Sequence, residues 1–172
     1  MKSLKENFQK AHIVIIGSGI IGKFNALELS ELGFQVTIID PAQHQNSSNA
    51  ALGLLMGNMY QKRRGRSWDL RKQSIELWPQ WITFLQKFNY ELNIEKPLIQ
   101  LTTNEEKFKK LEKFIYENND QNLRILERDS IFIKNINKAF QTNNIKGMIS
   151  FKDVIINAIA LLKTLDTYLK NK

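Results

Sequence analysis

The chain has 172 residues, 42% hydrophobic and 24% charged, an ordinary globular balance that excludes disordered, collagen-like and coiled-coil classes. It has no cysteine, which excludes disulfides, thiolate catalysis and Cys-based metal or flavin linkage, and makes a reducing cytoplasm the expected location. The net charge of +8 comes from lysines scattered beside glutamates, as in NEEKFKKLEKF, with KRRGR at 62–66 the one compact cluster, so a solvated surface and no nucleic-acid partner are expected.

A polar tail opens the chain. The apolar run behind it is broken by glycines and lacks a small-x-small cleavage site, so it reads as a first strand and not as a signal peptide. No stretch reaches the about 18 consecutive apolar residues of a membrane span, and no membrane partner is expected. His12 leads into Ile13, Val14, Ile15 and Ile16, a continuous branched run that predicts a buried parallel strand over 12–17. A helix is predicted from Ile20 to Leu32, ended by Gly33, and FQVTIID at 34–40 predicts a second strand stopping at Asp40.

The pattern then changes to a polar loop, PAQHQNSSN, and a short apolar stretch, AALGLLMGNMY. A helix is predicted from Ser67 to Phe88, with an apolar stripe from Leu70 to Leu85 and Pro79 expected to kink or divide it. A strand follows at 97–103, and Thr103 with Glu106 predicts a capping box opening a helix over 104–117. LRILER and GMISF predict two more strands, 129–145 reads as irregular, and Asp153 reads as the N-cap of a closing helix.

In Gly17-Ser18-Gly19-Ile20-Ile21-Gly22 each glycine has its own task. The first allows a tight strand-to-helix turn, the second lets a pyrophosphate approach the backbone, and the third lets helix and strand pack closely. The helix start behind them offers unpaired N–H groups and about half a positive charge to phosphate. Asp40 lies roughly 20 residues further on, at the end of the next strand, where a carboxylate accepts from adenosine ribose hydroxyls. These features point to a dinucleotide. The small-residue insertion and Trp-containing helix after Asp40, in place of a prompt third strand, favour FAD over NAD.

On IVIIGSGIIG, Asp40, and Ser47, Ser48, Ala50, Ala51 and Gly53 of SSNAALGLL, the chain resembles the N-terminal half of the FAD-dependent D-amino-acid oxidase and glycine oxidase family. SIELWPQWITFLQKF, IQLTTNEEKFKKLEKF and GMISFKDVIINAIALL extend the similarity along most of the chain. The resemblance implies an α/β protein. Residues 12–66 would begin a Rossmann-like FAD domain, 67–151 would form a partial helical excursion and substrate domain, and 152–172 a closing helix returning toward the FAD domain. It also implies oxidation of an amine next to a carboxylate, with non-covalent FAD.

The site residues it implies are Gly17, Ser18, Gly19, Ile20, Ile21, Gly22, Asp40, Ser47, Ser48, Ala50, Ala51 and Gly53. The family's carboxylate-clamping Arg and Tyr have no match here, so no catalytic residue is assigned. A truncated or split form is expected, inactive alone and completed by a second chain. An inert dinucleotide-binding remnant and an NAD(P)-binding protein of another family are the alternatives.

Other residues read as structural. Asn49 stands where some relatives carry a flavin-linking His, while His44 lies in a polar loop and His12 reads as a packed or edge residue. Trp68, Trp78 and Trp81 fall at helical spacing and read as core or interface residues. Arg63, Arg64 and Arg66 read as a solvated basic loop, with anion binding the alternative. Ser47 and Ser48 are equally suited to capping a turn and to donating to a pyrophosphate. Asp153 and Glu106 read as helix-cap acids, and no His, Asp and Glu cluster has metal-ligand spacing.

Overall fold

The computed structural model describes residues 11–41, 47–127, 130–141 and 144–172. His44 lies outside the described residues. The chain forms two compact units, which it enters alternately: residues up to Gly53 with Trp78–Asn93 and Ile156–Lys172 make the first, and Leu54–Leu77 with Ile94–Ile155 the second.

The first unit is built on β1 (His12–Ile16), α1 (Ile20–Glu31) and β2 (Gln35–Ile39). β1 and β2 pair in parallel with His12 opposite Gln35 and Ile16 opposite Ile39. Parallel strands need a crossover, and α1 supplies it, burying Ala26 and Leu27. Gly33, at φ 88°, ends the helix in the left-handed conformation. Its N–H donates to the Ser30 carbonyl and that of Phe34 to Leu29, which satisfies two carbonyls at the helix end.

The closing helix α5 (Ala158–Lys170) packs on α1 and buries Leu161, Leu162, Leu165 and Tyr168. An ion pair between the buried Lys23 and the half-exposed Asp166 ties the two helices. Phe24 of α1 meets Trp78 and Trp81 edge-on, at 5.5 and 5.3 Å between centroids, so these two tryptophans are packing residues as their spacing suggested.

At the end of α5, Tyr168 and Lys172 both bond Glu31 of α1. The Lys172 and Tyr168 hydrogen bonds hold the Glu31 carboxyl below its usual 4.5, and the bond to Glu31 raises the Lys172 ammonium above 10.5. Burial, then the Glu31 bond, raises the Tyr168 hydroxyl above 10.0. A lowered folded-state acid stabilises above its unfolded pKa and is lost as pH falls; the raised groups stabilise below theirs and are lost as pH rises. The contact's stabilisation is therefore expected to be full between pH 4.5 and 10 and to be lost as pH falls through the lowered Glu31 value or rises through the raised Tyr168 value. Protection of the Tyr168 and Leu169 amides, taken relative to their intrinsic exchange rates at each pH, should fall as pH drops below 4.5, and protection that does not change with pH would contradict this assignment.

The second unit has two three-stranded sheets. One orders β5 (Leu98–Thr102), β7 (Lys146–Ser150) and β6 (Leu123–Leu126) with β7 in the centre. The other places β8 (Val154–Ile156) between β3 (Leu54–Leu55) and β4 (Ile94–Glu95). Helix α3 (Glu105–Asn118) buries Phe108, Leu111 and Phe114, and Leu111 and Phe114 join a core with Met59, Leu123 and Met148.

Three local expectations are corrected and a fourth, at Pro79, is narrowed. The α3 cap is Asn104, whose side chain accepts from the Lys107 N–H, and not the Thr103–Glu106 box. Within 129–145, expected to be irregular, Ser130 caps a helix, α4 (Ile131–Ala139). Helix α2 (Arg66–Leu85) contains Pro79 without being divided there.

Asp153 caps no helix, since β8 follows it and Asn157 caps α5. It is buried instead, its two carboxylate oxygens accepting from the backbone N–H groups of Gly57, Asn58 and Met59 at 2.7 to 2.9 Å. Nearby, burial pushes the Asp120 carboxyl up, but hydrogen bonds from the Asn122 backbone and side chain outweigh it and hold it below its usual value.

Candidate nucleotide-binding turn

The glycine turn between β1 and α1 is where the first unit concentrates polar backbone. Gly17 adopts φ 102°, a conformation open to glycine, and its N–H donates to the Ile39 carbonyl at 2.8 Å, locking the turn to the end of β2. A Cβ on Gly22 would stand 2.0 Å from the Gly17 carbonyl oxygen, so the third glycine is what lets the helix start against the strand end.

Two side chains distant in sequence converge on this turn. The Asp40 carboxylate, just past β2, accepts from the Ser18 N–H at 2.6 Å. Ser48 Oγ accepts from the Ile20 N–H at 2.9 Å, capping a helix whose own N-cap, Gly19, has no side chain. A Cβ on Gly19 would come within 3.0 Å of that same hydroxyl. The Ser48 oxygen thus stands where an acceptor is needed and lies over backbone kept bare by glycine.

Gly17, Ser18, Gly19, Ile20, Asp40 and Ser48 are accordingly brought together by these bonds. Ile21 is exposed on the first turn of α1, and Ser47, Ala50 and Ala51 are exposed in the segment around Ser48. Gly53 has a reason of its own: at φ 70° its Cβ would meet the Ile156 carbonyl at 1.8 Å, and its carbonyl accepts from the Ile156 N–H. That is a role in the fold, which resemblance alone did not reveal.

The basic cluster divides. Arg64 and Arg66 are exposed as expected, but Arg63 is half-buried in the second unit and is not part of a solvated loop. Its guanidinium donates to Asn118 Oδ1 and to the Asn58 and Tyr60 carbonyls and lies 5.0 Å from the Phe114 ring centroid. Trp68 stacks on Tyr60. His12 is an edge residue bonded to Thr37 Oγ1. Among the described residues, no group of three His, Asp or Glu side chains is placed to hold a metal ion, and no helix is long and apolar enough to cross a membrane.

A family model described as FAD dependent oxidoreductase matches residues 12–172. The chain belongs to that family. Solved structures similar to it include iminodiacetate oxidase from Chelativorans sp. BNC1, at 18% identity and TM-score 0.75 over 92% of the present chain. Glycine oxidases from Bacillus cereus ATCC 14579 and Geobacillus kaustophilus follow at 21% and 22% identity, with TM-score 0.73 over 94% and 92%. The chain spans 44% of the length of each of these three. No curated protein matches. The family match sets aside the reading of an NAD(P)-binding protein from another family.

Proposed function

We propose that the chain binds FAD non-covalently at the β1–α1 turn and is the flavin-holding part of an amine or amino-acid oxidase of the D-amino-acid oxidase and glycine oxidase type. The observation that supports this most is the convergence of Asp40 and Ser48 on the glycine turn, at Ser18 and Ile20. The residues present fit the group. Gly17, Ser18, Gly19, Ile20, Ile21 and Gly22 would line the pyrophosphate, with the α1 N–H groups donating to phosphate oxygens. Asp40 would accept from ribose hydroxyls, and Ser47, Ser48, Ala50, Ala51 and Gly53 would pass beside the cofactor.

When bound, FAD supplies the acceptor for the electron pair removed with hydrogen from an amine carbon. The chain's own contribution is binding and orientation. Its helix start carries partial positive charge toward the phosphates, and the Ser48 hydroxyl can turn from acceptor to donor when a phosphate oxygen satisfies Ile20. No residue of this chain is assigned to clamp a substrate carboxylate or to close the site against water, so amine-dependent peroxide formation by this chain with FAD is expected to be absent.

Calorimetric titration with FAD and with FMN tests the assignment, because FMN lacks the adenosine that Asp40 would hold. FAD should bind at least tenfold more tightly than FMN, and Asp40→Ala should erase that preference, a loss of about 1.4 kcal/mol or more. Equal affinity for both, unchanged by the substitution, would refute the placement of Asp40.

A further inference from the structure

The charges on α1 run against its own dipole. Acids stabilise the start of a helix and cations its end. α1 has no acid in its first turn and no cation in its last; its one cation, Lys23, lies in the first turn, and its acids, Glu28 and Glu31, lie toward the end. For α1 alone this order is unfavourable. Each end is compensated by a group of the closing segment, Asp166 bonding Lys23 and Lys172 bonding Glu31.

The two compensations differ in kind. Glu31 and Lys172 are both half exposed and share one solvent environment. The Lys23 side chain is only 7% exposed while that of Asp166 is 45% exposed. Lysine is almost never buried so far without a reason, and water screens the open carboxylate much more than the buried ammonium. The pair therefore leaves positive potential at the start of α1 in place of cancelling it.

Position decides where that potential acts. Lys23 is three residues past Ile20, and helical side chains lean toward the N-terminus, so its charge is held on the order of 10 Å from the Ile20 N–H. Ile20 and Ser18 carry the turn N–H groups that meet Ser48 and Asp40. A cation buried behind them, in a helix turn where it gains nothing from the dipole, favours an anion in front of them.

We infer that Lys23 determines affinity at the glycine turn: its buried ammonium adds to the partial positive charge of the α1 start and strengthens binding of a diphosphate there, while Asp166 sets how much of that charge the turn receives. Lys23 acts through its field and through the placing of α1, without touching the cofactor. The inference rests on the reading that the turn binds FAD. A pair that merely ties α1 to α5 makes a different prediction, because removing either partner then acts in the same direction.

Calorimetric titration of the 172-residue chain with FAD separates the two roles. Lys23→Met, which keeps the length of the side chain, should weaken FAD binding about tenfold, the loss expected for a unit charge acting on the phosphates through a partly screening interior. Asp166→Asn keeps an oxygen for the ammonium but removes the opposing charge, and should bind FAD roughly threefold more tightly than wild type. Its melting temperature should nonetheless fall, since a buried cation loses its counter-ion. A variant that is less stable and binds more tightly is an outcome that a tie between helices does not produce.

Wild-type affinity in Lys23→Met overturns the inference, and so does an Asp166→Asn affinity equal to or weaker than that of wild type. Should Lys23→Met fail to fold, the Asp166→Asn result decides alone. A wild-type chain that does not bind FAD refutes the flavin reading and this inference with it, whereas FAD binding that ignores both substitutions refutes this inference and leaves the flavin reading standing.

Discussion

Gly22→Ala is expected to abolish FAD binding and to destabilise the first unit by about 3 kcal/mol, the upper part of the range for overpacking. The added methyl would stand 2.0 Å from the Gly17 carbonyl oxygen and 3.4 Å from the Ile15 side chain. Neither obstacle is the far end of a flexible chain. The carbonyl belongs to the turn itself, so relief requires α1 to back away from β1, which drags the Ser18 and Ile20 N–H groups from Asp40 and Ser48.

Gly17→Ala supplies the control. Its Cβ meets nothing within 4 Å, and only the φ of 102° is unfavourable, so its cost should stay near the 1–2 kcal/mol typical of left-handed strain. Urea unfolding of the two variants should show Gly22→Ala with much the lower midpoint at similar slope. Equal midpoints would mean that the turn tolerates separation of helix and strand.

The second large effect belongs to the other unit. Asp153→Ala is expected to cost about 3–5 kcal/mol, because it leaves three backbone N–H groups, of Gly57, Asn58 and Met59, without their acceptor around a residue 1% exposed. Asp153→Asn keeps one oxygen acceptor but puts an amide donor against an N–H, and should recover less than half of that loss. Replacing Glu106, the other acid read from sequence as a cap, should change stability by less than about 0.5 kcal/mol, since it is exposed on the first turn of α3 and Asn104 makes the cap. Thermal unfolding of the three variants checks the order; an Asp153→Ala protein as stable as Glu106→Ala would show that water readily replaces the carboxylate.

These two sites show what sequence could and could not reveal. The β1–α1–β2 unit was legible because its signals are local: a branched run, glycines at fixed spacing, a glycine helix stop and an acid at the strand end. The structure places its elements within a residue or so of those expectations. Asp153 was misread because its partners lie 94 to 96 residues away, and a polar residue ahead of an apolar run looks the same whether it caps a helix or a distant loop. Helix α4 was missed because Ile131, Phe132, Ile133, Asn135 and Ile136 are poor helix formers; the Ser130 cap and burial of Ile133 override that preference. Ser48 reaches Ile20 across 28 residues, and only the resemblance to a family drew attention to it. Arg63 carried no local sign that its guanidinium would bond backbone carbonyls in a half-buried position rather than be solvated.

The central claim is that a flavin-binding turn is intact in this chain. Thermal unfolding of the purified protein with and without excess FAD, with NAD in parallel, tests it most directly. A ligand at 100 times its Kd stabilises by about 2.7 kcal/mol, well within detection. The account predicts a rise in melting temperature with FAD and little or none with NAD; no shift with FAD, or an equal shift with both, would contradict it.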